Sequence, residues 1–296
     1  MEKNDAFAGY HPLINFLFFL GAFVCGMFFL HPVCLLVSVF PAAGYYLSMR
    51  GSEGIRFLGG LILLFIFVSA INPIFNQYGE RILFSMGNRV YTFEALAYGM
   101  ALGGMMVAIL IWFACWQRVM TSDKFLYLFG HLAPSVTLIL TMILRLVPSY
   151  QRKMQQIHDV RKCIGHSLEN GKKREKVMHG MTVLSATISW ALEGGITMAD
   201  SMKSRGYGCA DKRSTFSIYR FEGRDKALFI LMAFLLAVTI ICGARGGMGV
   251  TYTPTLYIAA NGYTLAGALS YGIFLFIPLA INLAEEIQWH ILRSRI

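Results

Sequence analysis

Six stretches of this chain are long and apolar enough to cross a membrane as helices. A helix needs about 20 apolar residues to span the hydrocarbon core of a bilayer. The six stretches contain no Asp, Glu, Lys or Arg: 14–30, 33–49, 57–75, 97–115, 227–244 and 265–283. Hydrophobic residues make up 56% of the chain and charged residues 14%, which is too apolar for a soluble domain of this length. The sequence therefore predicts an all-α integral membrane protein in a lipid bilayer, with about six transmembrane helices.

Positive charge is concentrated between the fourth and fifth of these stretches. Residues 145–225 hold 15 of the 26 Lys and Arg residues, together with 8 acidic residues. Segments rich in Lys and Arg stay on the cytoplasmic side of a membrane. We therefore divide the chain into transmembrane helices over 1–124, a cytoplasmic region over 125–225 and C-terminal transmembrane helices over 226–296. The predicted location is the plasma membrane, with several passes.

A further apolar stretch, 125–144, is interrupted by Gly130 and Pro134. If it crossed the bilayer, the most basic part of the chain would lie outside. We therefore expect it to remain at the cytoplasmic membrane boundary, divided by Pro134. On the opposite side, two β-prone runs around Gly87-Asn88 predict a short extracellular β-hairpin within 80–94.

The usual sequence signatures of catalysis are missing. The seven histidines show no metal-ligand spacing, the six cysteines show no CxxC spacing, and no P-loop motif is present. We therefore predict a non-enzymatic protein that holds no metal and no cofactor of its own. We expect no nucleic-acid partner.

Two amphipathic helices are predicted in the basic region. The first begins at Pro148, since proline suits the first helical position, and stops at Gly165. The second follows the Lys172-Lys173-Arg174 cluster and ends at Arg205. Its apolar residues recur every three or four positions and form one stripe, most of which we expect to pack against the first helix and the membrane-boundary stretch: Met178, Met181, Leu184, Ile188, Leu192, Ile196, Ala199 and Met202.

The triplet Ser204-Arg205-Gly206 closes the second helix. A cation in the last turn followed by glycine is an ordinary way to end a helix, and the same arrangement also presents a guanidinium to a partner. The first helix ends alike, at Cys163-Ile164-Gly165. We expect the two ends to lie side by side as contacts for a two-fold symmetric partner. We also expect Asp200 to form an ion pair with Lys203 or Arg205.

Four short motifs carry a family resemblance: His11-Pro12, Asn72-Pro73, Arg145-Leu146-Val147-Pro148 and Ala199-Asp200-Ser201-Met202-Lys203-Ser204-Arg205-Gly206-Tyr207. In these motifs the chain resembles the transmembrane T component of energy-coupling factor (ECF) transporters, the EcfT/CbiQ family. The resemblance implies two cytoplasmic coupling helices that cross as an X and end in Ala-Arg-Gly signatures. Each end is expected to insert into a groove on one of two ABC-type ATPases, which bind ATP and Mg²⁺. The membrane helices would hold a separate S component that binds a vitamin or metal ion such as cobalt.

The first signature departs from the family pattern. Cys163 stands for alanine, and Ile164 stands where arginine is expected. Arg161 lies one turn earlier, close to the same face, and we expect it to reach the groove in place of the missing arginine. The departure also suggests that the two ATPases are unequal or that the first contact is mainly apolar. The candidate docking residues are Ser204, Arg205, Gly206, Arg161, Cys163, Ile164 and Gly165.

Two other transporter classes are weighed against this one. A self-sufficient secondary transporter is expected to carry ionisable residues inside its spans, and the six stretches contain none of Asp, Glu, Lys or Arg. A conventional ABC permease, which forms the substrate pathway itself, also couples to ATPases through cytoplasmic helices. That permease is the alternative function.

Overall fold

The computed structural model describes residues 5–76, 79, 81–86, 89–130, 133–164, 173–207, 209, 219–252, 256–258 and 261–293. The helices are α1 (Pro12–Phe28), α2 (Pro32–Arg50), α3 (Ser52–Phe75), α4 (Phe93–Val119), α5 (Ser122–Phe129), α6 (Pro134–Cys163), α7 (Lys173–Ser204), α8 (Gly223–Ala244) and α9 (Gly262–Arg293). Strand β1 (Ile82–Met86) pairs antiparallel with β2 (Arg89–Thr92), and β3 (Val250–Thr251) with β4 (Tyr257–Ile258). The chain divides into one unit of Met1–Phe125 with Tyr219–Ile296 and a second unit of Leu126–Ile218.

The membrane-spanning character follows from the helices of the first unit. Within the described residues, α2, α4, α8, α9 and Glu53–Phe75 of α3 are long and apolar enough to cross a membrane, and α1 is a shorter apolar helix. Each of these helices overlaps one of the stretches predicted from the sequence, and α1 ends two residues before its predicted stretch does. The prediction of a helical membrane protein is therefore confirmed.

Aromatic side chains form the centre of the first unit. The Phe18 ring lies 5.5 Å from Trp112 and 5.0 Å from Phe274 between ring centroids. All three side chains are fully or almost fully buried. The Trp112 indole N–H donates to Ser38 Oγ at 3.2 Å, which satisfies the one polar group of that side chain. This centre joins α1, α2, α4 and α9.

Two glycines one turn apart bring α4 close to α3. A Cβ atom at Gly99 would lie 2.8 Å from Asn72 Cβ and 2.9 Å from the Ser69 carbonyl oxygen. A Cβ atom at Gly103 would lie 3.1 Å from Phe65 Cδ2 and 3.2 Å from the Phe65 carbonyl oxygen. The spacing is that of the Gly-x-x-x-Gly motif, which lets helix backbones approach inside membranes.

A polar cluster holds the segment before α1 against α2 and α9. The Asp5 carboxylate accepts hydrogen bonds from the Tyr45 hydroxyl at 2.7 Å and from the Asn282 amide at 2.8 Å. Asn282 Oδ1 in turn accepts from the Phe7 backbone N–H at 3.3 Å. Phe7 itself is fully buried. The segment is therefore part of the core of this unit.

Lys124 joins the same segment to the end of α4 and the start of α5. Its Nζ donates to the carbonyl oxygens of Ala8 at 2.6 Å and Val119 at 2.8 Å. The Asn15 amide is oriented with its nitrogen donating to the Phe7 carbonyl oxygen. Its oxygen then accepts the third hydrogen bond from Lys124 Nζ, at 3.2 Å. Burial lowers the pKa of the Lys124 ammonium, and the nearby Asp5 carboxylate opposes this shift.

Replacing Lys124 with methionine is expected to destabilise the first unit. Methionine keeps much of the side-chain volume, but it leaves the Ala8 and Val119 carbonyls without their donor. A buried polar group without a partner costs about 1–3 kcal/mol, and the loss of a buried charge offsets part of this. We expect a net loss of about 2 kcal/mol, measured as the free energy of unfolding in detergent. Lys226→Met, at an exposed position in the first turns of α8, is the control, and equal stabilities of the two variants would contradict the role of Lys124.

The start of α6 differs from the prediction. The helix begins at Pro134, which occupies the first helical position, and Pro148 lies inside it. Proline suits the first turn, but it is also accepted within a helix at the loss of one backbone hydrogen bond. The sequence therefore allowed two starting points. The expected division at Pro134 is confirmed, since α5 ends at Phe129, and α6 is not among the helices apolar enough to span.

Candidate functional site

Helices α6 and α7 contact each other through aromatic and histidine side chains. The Tyr150 and Trp190 rings meet edge to face, with centroids 5.6 Å apart and planes at 83°. Lys153 Nζ lies 5.5 Å from the Trp190 ring centroid, within the range of a cation–π contact. His158 Nδ1 and His179 Nε2 are 3.3 Å apart. Because later residues of α6 meet earlier residues of α7, the two helices run antiparallel past each other.

One face of α7 is buried and belongs to this contact. His179, Val183 and Thr187 are buried and spaced by four residues, so they share a face. The Thr187 hydroxyl donates to the Val183 carbonyl at 2.7 Å. That hydroxyl is therefore satisfied within its own helix.

The apolar stripe of α7 is on another face and is exposed. Its large residues have exposed fractions of 49% to 67%: Met178, Met181, Leu184, Ile188, Leu192 and Ile196. Ala199 is also exposed, whereas Met202 is half-buried. The expectation that most of the stripe packs against the first helix and the membrane-boundary stretch is therefore wrong. Helical periodicity identifies an apolar face, but it does not say which partner covers that face.

The side-chain contacts that join the two helices were not predicted from the sequence. Tyr150 and His158 are two turns apart on α6, and His179 and Trp190 are three turns apart on α7. Such spacings place side chains on one face. A weak signal was therefore present, but histidine and threonine on that face of α7 are also typical of a surface exposed to water.

A Schellman cap ends α7. Gly206 has a φ of 77°, in the left-handed region that glycine adopts without strain. The Tyr207 N–H donates to the Met202 carbonyl at 3.1 Å, and the Gly206 N–H donates to the Lys203 carbonyl at 3.1 Å. These two bonds satisfy carbonyls that the last turn of a helix leaves unpaired. The cap is made by backbone atoms and requires glycine at position 206.

The cap leaves the Arg205 side chain available for a partner. Ser204, Arg205 and Gly206 are all exposed, and Ser204 Oγ donates to the Ser201 carbonyl at 2.9 Å. In the part of the chain that the structure describes, the Arg205 guanidinium has no hydrogen bond or ion pair. The expected ion pair of Asp200 is not formed there either, so that expectation is wrong.

The end of α6 presents a different surface. Cys163 and Ile164 are exposed, Ile164 to 69%, and Gly165 lies outside the described residues. Arg161 is half-buried. Its Nε atom is buried without a hydrogen-bond partner among the described residues. This end combines an exposed apolar side chain with a partly covered cation.

The two helix ends do not lie side by side. The end of α6 follows His158, which pairs with His179 near the start of α7. Arg205 lies 26 residues beyond His179 along the chain, which is about 39 Å at 1.5 Å per helical residue. The prediction of adjacent ends is therefore wrong. Similar sequences at two helix ends do not determine their separation, which the antiparallel contact sets.

Among the described residues, no three His, Cys, Asp or Glu side chains come together as a possible metal site. The arrangement of α6 and α7 instead offers two exposed helix ends and one exposed apolar face. These are features of a surface that contacts other proteins.

Comparison with known proteins gives relatives of low identity. No protein-family model matches the chain. Over 201 residues it is 23% identical to the energy-coupling factor transporter transmembrane protein EcfT of Streptococcus equi subsp. equi, covering 64% of this chain and 72% of that protein. Over 107 residues it is 27% identical to the EcfT protein of Leuconostoc gelidum subsp. gasicomitatum, covering 36% and 40% of the two chains. An uncharacterized MG181 homolog of Mycoplasma pneumoniae is 26% identical over 109 residues, 37% of this chain and 25% of that protein.

The chain is similar to EcfT proteins. This supports, at low identity, the family resemblance inferred from the four motifs. The chain spans a quarter of the Mycoplasma relative and 40% of the Leuconostoc relative.

Proposed function

We propose that this chain is the energy-coupling transmembrane subunit, or T component, of an ECF-type importer. The observation that carries the proposal is the exposed Arg205, whose guanidinium has no partner among the described residues and whose backbone is fixed by a Schellman cap at the end of α7. Similarity to a transmembrane EcfT protein over 64% of the chain supports it. In this role the chain is not catalytic, and ATP and Mg²⁺ are bound by partner ATPase subunits in the cytoplasm.

The end of α7 docks into a groove on one ATPase. Arg205 offers a planar set of donors that matches a carboxylate or a pair of carbonyls. Beyond it, Gly206 has no side chain, and nothing lies within 4 Å of the position of its absent Cβ. A partner backbone therefore has room to approach the guanidinium closely.

The end of α6 docks on the second ATPase. Arg161, Cys163, Ile164 and Gly165 form this contact, with Ile164 supplying apolar area. The separation of about 39 Å along α7 suits contacts with two different subunits. One helix end carries an exposed arginine and the other an exposed isoleucine. The two ends therefore contact different grooves on the two ATPases, or different parts of the same kind of groove.

The exposed stripe of α7 contacts the S component, which binds the vitamin or metal ion. When the ATPases close on ATP, the two helix ends move with them. The contacts between Tyr150 and Trp190 and between His158 and His179 make α6 and α7 move as one piece. The stripe then passes the movement to the S component.

Charge reversal at Arg205 tests the proposal. Removing one partner from a buried, hydrogen-bonded charge pair costs about 2–5 kcal/mol, so Arg205→Glu is expected to weaken ATPase binding by about 30-fold or more. The measurement is the amount of ATPase that co-purifies with the membrane-inserted chain, together with uptake in cells that contain the complete transporter.

Arg224→Glu provides the matched control, because Arg224 is an exposed arginine in the first turn of α8. That variant should keep ATPase binding. Arg205→Lys should give an intermediate result, since lysine keeps the charge and loses the planar donor set. Equal co-purification by Arg205→Glu and Arg224→Glu would refute docking through Arg205.

A further inference from the structure

An apolar cleft lies between α2, α3 and α4 and is closed at one end by residues of the β3–β4 segment. Its volume is about 580 Å³. Small residues of α4 line one side, Ala97, Ala101 and Gly104. Large aliphatic and aromatic side chains of α2 and α3 form the other walls. The size is within the range of sites for small ligands, about 300–1,000 Å³.

The cleft offers no free polar side chain among its described lining residues. Tyr252 supplies the one polar group of the lining, and its hydroxyl donates to the Leu30 carbonyl at 2.7 Å. An apolar cavity of this kind excludes water. Since α2, α3 and α4 are all apolar enough to span a membrane, the cleft lies among groups surrounded by hydrocarbon.

The length and lining of the cleft suit a hydrocarbon chain. Along α2 the lining runs from Pro32 to Ala43, about 17 Å at 1.5 Å per residue. This is close to half of the roughly 30 Å hydrocarbon core of a bilayer, which is the length of one lipid leaflet. A cleft of about 580 Å³ with apolar walls over this length accommodates a hydrocarbon chain, which makes contacts at about 4 Å.

The surroundings of the cleft indicate how a lipid enters it. At its margin Leu36, Ile62 and Met100 have exposed fractions of 60%, 61% and 42%, so the cleft opens sideways into the bilayer. At its closed end the rings of Tyr98 and Tyr252 lie 5.3 Å apart. Tyrosine is enriched where a membrane meets water, which places this end at the membrane boundary, so that the headgroup stays outside the cleft beside it.

We propose that this cleft binds one acyl chain of a membrane phospholipid, with the headgroup near Tyr252. The site is distinct from the α6 and α7 surfaces and does not depend on the transporter function. In a bilayer the acyl chain is surrounded by hydrocarbon whether it lies in the cleft or among other lipids, so the hydrophobic effect does not drive it into the cleft. The cleft therefore retains the chain through the closeness of its fit.

Photo-cross-linking tests the proposal. The full-length protein is placed in phosphatidylcholine vesicles that contain a phosphatidylcholine with a diazirine on one acyl chain, irradiated and mapped by mass spectrometry of its peptides. We expect cross-links to concentrate on residues 32–43 and 97–111, well above those on the exposed α8 residues Ile230 and Phe234. Equal labelling of the cleft and of α8 would overturn the proposal.

Filling the cleft supplies the second arm of the test. At Gly104 an added Cβ would lie 3.7 Å from Leu35 Cδ1, an ordinary contact, so Gly104→Phe is expected to fold and to lose most of the cleft labelling. Ala43→Leu, which fills the cleft from α2, should have the same effect. Gly60→Phe, on α3 with nothing within 4 Å of the added Cβ, should keep the labelling. Labelling that survives both filling variants would show that no lipid chain is held there. Labelling that disappears when partner subunits are added would show that a partner, and not a lipid, occupies the cleft in the assembled transporter.

Discussion

Replacing Gly99 with leucine is expected to abolish the packing of α4 against α3 and to prevent recovery of folded protein. Even the first added carbon would lie 2.8 Å from Asn72 Cβ and 2.9 Å from the Ser69 carbonyl oxygen. A backbone carbonyl has no rotamer by which to move away. Extra carbons in a well-packed core usually cost about 1–3 kcal/mol, and leucine at this position exceeds that because the two helices must separate.

The measurement for Gly99→Leu is the yield of monodisperse protein in detergent and its thermal midpoint. Gly59→Leu is the matched control, since Gly59 is an exposed residue of α3 with nothing within 4 Å of an added Cβ. It should behave as the unchanged protein. Normal yield and stability of Gly99→Leu would show that the close approach of α3 and α4 is not needed.

Two acidic residues in the exposed stripe of α7 are expected to abolish uptake while leaving the chain folded. Ile188 and Leu192 are 50% and 66% exposed, on a different face from His179, Val183 and Thr187. The double substitution Ile188→Glu with Leu192→Glu therefore spares the contact between α6 and α7. If the S component covers the stripe, each carboxylate is buried without a partner, which costs about 3 kcal/mol or more. Uptake should fall by about 100-fold or more.

The check is uptake of substrate by the assembled transporter, together with the thermal midpoint of the isolated chain. Thr182→Glu with Ser189→Glu is the control, because these exposed residues of α7 are two turns apart and lie beside the stripe. Uptake should survive in the control. If the stripe variant also transported normally, the stripe would not be the surface that contacts the S component.

The parts of the fold that depend on local sequence were predictable. Continuous apolar stretches indicated the spanning helices, and Gly206 indicated where α7 ends, because both signals lie within a few neighbouring residues. The start of α6 was misplaced, since proline fits both the first turn and the interior of a helix. The partner of the α7 stripe was also misjudged, because an amphipathic pattern specifies a face and not the surface that covers it.

Other features depend on pairs of residues far apart in the chain. Gly99 and Gly103 are needed only because Asn72, Ser69 and Phe65 lie against them, and one helix alone does not show this. The same holds for His158 with His179, which joins α6 to α7. Among the candidate docking residues, the local cap at Gly206 was foreseeable, whereas the distance between the two helix ends was not.

The hydrogen bond between Asp5 and Asn282 has a consequence for how the protein is made. The two residues are 277 positions apart, and loop closure over such a distance comes late in folding. While the chain is being synthesised, Asp5 and the Phe7 N–H have no native partner on α9 until that helix has entered the membrane. The first unit therefore closes only after α9 has been synthesised. Until then, the segment before α1 must stay on the side of the membrane where Asn282 will arrive.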